Sequence, residues 1–223
     1  MGKRKGRPAS THQPQPQSTL EALMDPSFSP PTYFPSTITD EYDNKVLTIN
    51  AALSAEECSR LKNYVDTSPN VTVQHQPRTS EYTFRHNDRL QITDPGFARF
   101  LFQRLRPLLS THVSLSSAVG MNSNIRLYRY SKGQRFDAHY DMCNEVNNGI
   151  TRWTVLYYLN DVPRACGGST AFYKFDNEKD VAADVSCVEG VCLLHLHGDE
   201  CLLHKGSEVL RGVKYLLRTD LVF

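Results

Sequence analysis

The sequence predicts an α+β chain: two helices, then a C-terminal half of short strands that closes into a barrel or sandwich. Three observations predict this. Two segments have helical apolar spacing behind helix-start residues, the chain from residue 124 onward is rich in β-branched and aromatic residues, and turn residues separate those later runs.

The elements follow in chain order. Seven of the twelve prolines (Pro8, Pro14, Pro16, Pro26, Pro30, Pro31, Pro35) fall in the first 35 residues, among Gln, Ser and Thr and without an apolar period. This predicts a disordered or loosely attached tail over 1–40 and one domain over 41–223. Val46 to Ile49 has a short strand pattern. Ser54 and Glu57 have capping-box spacing, and Cys58, Leu61 and Val65 form one apolar stripe, so a helix ending near Asp66 is expected. Asp94-Pro95 announces a second helix, with Phe97, Leu101, Leu105 and Leu108 on its buried face. Strands are then expected at Asn124–Tyr130, Arg152–Leu159, Val191–His197 and Val213–Phe223. Turns fall at Ser131-Lys-Gly133, Asn147-Asn-Gly149, Asn160-Asp161 and Gly167-Gly168.

Composition narrows the function classes. The 223 residues allow one well-cored domain with a tail. With 25 Lys and Arg against 24 Asp and Glu, the net charge of +1 argues against a broadly basic nucleic-acid coat. Lys3, Arg4, Lys5 and Arg7 concentrate positive charge in the leader and leave −3 for the remainder. The leader reads as a nuclear-import or nucleic-acid-contacting patch, with a solubilising charge run as the plainer alternative. No apolar run is long enough to span a bilayer, no secretion signal follows the basic start, and position 6 lacks the Ser or Thr of a myristoylation signal. A soluble cytoplasmic or nuclear protein with no membrane partner is expected, its six cysteines being free thiols.

The most informative chemistry is His139-Tyr140-Asp141. On a strand, residues i and i+2 share a face, so this pair suits two neighbouring positions on one metal ion. A third ligand from elsewhere would complete a 2-His-1-carboxylate face suited to non-haem Fe(II). The triplet alone is weak, because 8 His and 14 Asp give about 0.5 His-x-Asp by chance and three occur. His197-Gly-Asp199 fits a turn, and its only downstream histidine is too near. His86-Asn-Asp88 would use His139 as its distal ligand, but ten residues beyond lies Gly149, not a cation. His139-Tyr-Asp141 has His204 downstream, and ten residues after His204 stands Lys214. That lysine opens the alternation Lys214, Leu216, Arg218 in an otherwise apolar segment, where it needs an anionic partner such as an acidic cosubstrate or a path to solvent.

Taken together, these residues resemble the Fe(II)- and 2-oxoglutarate-dependent dioxygenases, specifically the catalytic domain of prolyl 4-hydroxylases. The similarity covers about residues 46–223. It runs through Asn122-x-x-x-Arg-x-Tyr-Arg-Tyr130, Gly133-Gln-x-Phe-x-x-His139-Tyr-Asp141, Thr154 to Asn160, Gly167-Gly-Ser-Thr170-x-Phe172, His204-Lys-Gly206 and Gly212-Val-Lys214-Tyr, with Leu53 to Cys58 and Asn87-Asp-Arg89 upstream. It implies a double-stranded β-helix, or jelly roll, with supporting N-terminal helices. It further implies iron ligands His139, Asp141 and His204, and Lys214 on the distal carboxylate of 2-oxoglutarate, with Arg218 as the alternative partner. Tyr130 and Thr170 would line the cosubstrate pocket, and Tyr157 is a further candidate. Fe(II), 2-oxoglutarate, O2 and ascorbate are the implied cofactors, and the implied reaction couples oxidative decarboxylation of 2-oxoglutarate to C–H hydroxylation. A proline-containing peptide or protein is the implied substrate, with a small molecule or nucleobase as alternatives. One departure stands out: collagen-type members usually carry Trp six residues after the lysine, where this chain has Asp220. Met142 to Gly149 reads as a mobile lid or a plain surface loop.

Two rival readings come from other classes. Cys187, Cys192, His195, His197, Cys201 and His204 have the residue types of a structural zinc module, with Cys201-x-x-His204 as a clamp. A non-catalytic dioxygenase fold that only binds a partner is the other.

Overall fold

The computed structural model describes residues 20–24 and 37–223. The strands are β1 (Ile38–Tyr42), β2 (Val46–Ile49), β3 (Thr72–Gln76), β4 (Arg85–Thr93), β5 (Gly120–Met121), β6 (Asn124–Tyr130), β7 (Arg135–His139), β8 (Glu145–Val146), β9 (Gly149–Tyr158), β10 (Thr170–Phe175), β11 (Asn177–Val185), β12 (Cys192–Leu196), β13 (Leu203–Gly206) and β14 (Lys214–Val222). Helix α1 (Ala55–Thr67) precedes β3, and α2 (Pro95–Leu109) follows β4.

All pairings are antiparallel, along the path β1-β2-β12-β9-β14-β6-β4-β7-β13-β10-β11, with β3, β5 and β8 paired to its sides. Strand β4 carries the sheet round a corner, pairing Arg85 with Phe136 and His86 with Arg135 of β7. The result is a near-closed, jelly-roll-like barrel with two helices.

Residue alternation decides what each face does. On β9, Trp153, Val155 and Tyr157 join the core under the helices, whereas Leu156 and Tyr158 join a second core inside the barrel. The same parity holds on β6, where Ile125 and Leu127 face the helices and Tyr128 and Tyr130 the barrel. The helices start where the sequence places them. Ser54 and Glu57 form a reciprocal capping box, and Asp94 accepts from the Phe97 N–H ahead of Pro95. A buried bidentate pair, Arg104 to Glu57 at 2.8 Å on both oxygens, ties α2 to α1.

Two expectations change. Residues 20–24 are packed, not loose: Leu20 and Met24 are buried against the helical core, because a short apolar Leu-Glu-Ala-Leu-Met segment finds an apolar surface. Residues 1–19 and 25–36 of the expected tail, including its basic leader, lie outside the described residues. The Met142–Gly149 segment is partly strand, since Glu145 and Val146 pair with Ile150 and Gly149 and the Asn144 N–H donates to Thr151 Oγ1 at 3.0 Å. No helix among the described residues is long and apolar enough to cross a membrane.

Candidate metal centre

The site lies on the barrel face of the strands. β7 and β13 pair so that His204 stands directly opposite His139, and Asp141 follows two residues beyond β7. One ligand atom each from His139, Asp141 and His204 lies within 4.8 Å of the others. His139 Nε2 is 3.8 Å from Asp141 Oδ1, and His204 Nε2 is 3.8 Å from Asp141 Oδ2.

Proton positions follow from the partners. His139 Nδ1 lies 2.9 Å from the Asp137 carbonyl, and His204 Nδ1 lies 2.9 Å from the Leu202 carbonyl. A carbonyl only accepts, so each Nδ1 carries the hydrogen and each Nε2 presents its lone pair to the centre. Burial, and then the neighbouring His204, pushes the His139 pKa down to about 3, and burial lowers His204 as well. Both rings are therefore neutral, as metal ligation requires.

Asp141 is held just as tightly. Its Oδ2 accepts from Thr154 Oγ1 at 2.6 Å and from Arg218 at 2.7 Å. Thr154 spends its one hydrogen on that carboxylate, so it accepts from His197 Nε2 at 2.7 Å. Burial alone would raise the Asp141 carboxyl, but the Arg218 guanidinium holds it well below the usual carboxylate range. With Oδ2 receiving two donors, Oδ1 keeps the freer lone pairs.

Behind this, Asp220 anchors the arginines: Arg126 donates to its Oδ2 at 2.6 Å, and Arg218 Nε lies 3.6 Å from its Oδ1. The residue that departs from the collagen-type pattern thus belongs to the buried ion-pair chain behind the candidate metal carboxylate.

Lys214 lies deeper, 2 % exposed. Its ammonium donates to the Gly168 carbonyl at 2.6 Å and lies 5.8 Å and 5.6 Å from the ring centroids of Tyr130 and Tyr158. No carboxylate pairs with it among the described residues. The adjacent Gly167 and Gly168 both have φ of +76°, and a Cβ on Gly167 would stand 2.1 Å from the Glu208 carbonyl, so this turn requires glycine. Asn160 fixes the lysine from the other side, donating to the Val213 carbonyl and accepting from the Tyr215 N–H. Tyr130, Thr170, Lys214 and Leu216 share one pocket with the three candidate ligands.

Tyr157 is not part of this site. Strand parity turns it into the helix-side core beside Cys192, and its neighbour Tyr158 takes the barrel position, donating to Thr170 Oγ1 at 2.8 Å. Arg218 shares the pocket, but it is committed to Asp141. The six-residue zinc cluster is also divided. His195, Cys201 and His204 converge, whereas Cys187 contacts the Gly168 carbonyl, Cys192 lies in the helix-side core and His197 serves Thr154. His204 Nδ1 is taken by Leu202, which leaves Cys201 Sγ at 3.9 Å without the clamp geometry. Of the two other triplets, His86 meets His75 edge-on while Asp88 pairs with Arg129, and residues 198–200 form a 3-10 turn after His197. Sequence reasoning missed Thr154, Arg85 and the support role of Asp220. For Thr154 the signal was present, because it shares strand parity with Leu156 and Tyr158.

Residues 125–219, which hold the three candidate ligands, Lys214 and Arg218, match the family model of the 2OG-Fe(II) oxygenase superfamily. The fold is that of the prolyl hydroxylases. A viral collagen prolyl hydroxylase from Paramecium Bursaria Chlorella virus-1, solved with 2-oxoglutarate, superposes with a TM-score of 0.59 at 17% identity, covering 80% of this chain and 95% of that one. A Trichoplax adhaerens prolyl hydroxylase in complex with a hypoxia-inducible-factor peptide gives 0.60 at 19%, covering 81% and 84%. A Pseudomonas putida prolyl-4-hydroxylase gives 0.55 at 17%, covering 80% and 92%. No curated protein sequence matches the chain.

Proposed function

We propose that this protein is an Fe(II)- and 2-oxoglutarate-dependent hydroxylase that acts on proline residues of a peptide or protein. The observation that carries the reading is the pairing of a three-ligand set with an unmatched buried lysine in one pocket. His139, Asp141 and His204 would hold Fe(II), and their donor set of two neutral imidazoles and one carboxylate fits that ion. Bound iron and 2-oxoglutarate would supply the oxidising power for hydroxylation with O2, and ascorbate would keep the iron reduced. Lys214 would bind the distal carboxylate of 2-oxoglutarate, since a buried ammonium met by a carbonyl, the Cys187 thiol and aromatic rings, and by no carboxylate among the described residues, is short of one anion. Tyr130 and Thr170 would shape the cosubstrate chamber. Arg218 and Thr154 would orient Asp141, and Phe136, its ring centroid 3.7 Å from that of His139, would keep water off one ligand.

The proline reading draws on the fold likeness to proline-hydroxylating enzymes. The test is succinate release with Fe(II), ascorbate and 2-oxoglutarate across proline-containing peptides, small molecules and oligonucleotides, with mass spectrometry for a single added oxygen. Oxygen added to proline supports the reading, and turnover confined to the other substrates overturns it.

A further inference from the structure

We infer that Arg85 binds a carboxylate of the substrate, so that the enzyme selects peptides carrying Asp or Glu close to the oxidised residue. This deepens the peptide-hydroxylase reading and rests on it.

Arg85 is the first residue of β4, at the corner where that strand meets β7. Its guanidinium carbon lies 4.7 Å from the Tyr128 ring centroid and 4.5 Å from that of Phe136, so an aromatic ring stands near it on each of two strands. Its Nε donates to Asn87 Oδ1 at 2.8 Å, which fixes the plane. The terminal nitrogens meet only the neutral Tyr128 and Tyr130 hydroxyls, and among the described residues no carboxylate forms an ion pair with Arg85.

The neighbouring cations differ. Arg126 is paired with Asp220, and Arg218 with Asp141 and Asp220. Lys214 is reserved for the cosubstrate in the proposed function, and Asp141 for the metal. Once those charges are assigned, Arg85 is the surplus cation of the wall, and a half-buried cation without a counter-ion calls for one from the ligand.

Position gives the ligand its class. Arg85 lines both the closed metal pocket and the open groove that leads to it, where Phe136, His139, Asp141 and Arg218 are also shared. Around the groove, Tyr82, Tyr140 and Met142 offer exposed apolar surface, and Glu81 is the other acid on its wall. An extended peptide can lay apolar side chains on these residues while one carboxylate meets the planar guanidinium, a match that favours two parallel hydrogen bonds.

The experiment uses the full chain loaded with Mn(II) and 2-oxoglutarate, so that binding is read without turnover. Calorimetry compares proline peptides with flanking Asp or Glu against their Asn or Gln counterparts, on wild type, Arg85→Gln and Arg85→Lys, with thermal melts to confirm folding. The wild type is expected to favour the acidic peptides by about tenfold or more. Arg85→Gln should abolish that preference while leaving 2-oxoglutarate affinity unchanged, and Arg85→Lys should restore part of it. Equal affinity for acidic and amide peptides in the wild type overturns the inference. So does a preference that survives in Arg85→Gln while 2-oxoglutarate affinity falls, which would assign the guanidinium to the cosubstrate. Arg85-dependent binding of a single-stranded oligonucleotide, with none of any peptide, overturns the peptide assignment. Acid-selective binding that persists when proline is replaced by alanine, with no hydroxylation of any proline peptide, sustains the carboxylate subsite and defeats the proline reading alone.

Discussion

Arg218 donates to Asp141 Oδ2 at 2.7 Å, so a guanidinium four residues beyond Lys214 on the same strand face is committed to the candidate metal carboxylate. Two cations that look interchangeable in the sequence are separated by what each meets. Arg218 has carboxylates on two sides, and Lys214 has none among the described residues.

Their variants should therefore fail differently. Lys214→Ala should raise the 2-oxoglutarate concentration needed for half-maximal succinate release by about 10- to 100-fold, the loss of one charge-assisted hydrogen bond. Metal affinity should be little changed. Arg218→Met should instead weaken Co(II) or Mn(II) binding measured by titration. The opposite pattern would reverse the two assignments.

His139→Ala and His204→Ala should each abolish succinate release and greatly weaken metal binding, since each removes a ligand whose Nε2 is already deprotonated and aimed. Full succinate production in both variants would show that the ligands are misassigned.

The Arg104–Glu57 pair is buried and bidentate. Arg104→Met leaves the Glu57 carboxylate buried without its cation, and a loss of about 3–5 kcal/mol in urea unfolding is expected. A loss under about 1 kcal/mol would place the pair among weak surface bridges.

Acid should destabilise the metal-free protein. In the folded state burial and the neighbouring His204 hold His139 at about 3, whereas an unfolded histidine titrates near 6.5. Unfolding therefore takes up protons, and stability falls as pH drops from about 6.5 towards about 3, by up to about 1.4 kcal/mol per pH unit for each such residue. His195 and His204, also lowered by burial, act in the same direction. A melting temperature at pH 5 equal to that at pH 7.5 would contradict this.

The thiols should divide by burial. Burial pushes Cys58 and Cys201 up to about 12, so at pH 8 iodoacetamide should label exposed Cys143 first and reach Cys58, Cys187, Cys192 and Cys201 only on unfolding. Rapid alkylation of Cys58 in the folded protein, seen by peptide mapping, would refute it.

The sequence made the helices, the late strands and the candidate ligand set legible because each rests on local or near-local signals: a capping box, strand parity, a His-x-Asp spacing. β3 and β11 were not read because they are polar, largely exposed stretches without clean alternation, and β4 and β10 because they take partners far along the chain, β7 and β13. Tyr157 was misassigned because adjacent tyrosines at 157 and 158 offer no clue in composition to which points inward. Only the parity of the whole strand decides it. Arg85 was invisible for another reason: its importance lies in lacking a counter-ion, which no sequence pattern displays.

His139 and His204 stand directly opposite each other across β7 and β13. A one-residue slip between those strands would send one imidazole to the far side of the sheet. A metal bound by both rings would therefore act as a proofreader of strand alignment, stabilising the correct pairing by its binding free energy and leaving the misaligned one unsupported. Loading with metal during refolding should consequently raise the yield of native protein, and most of all at low protein stability.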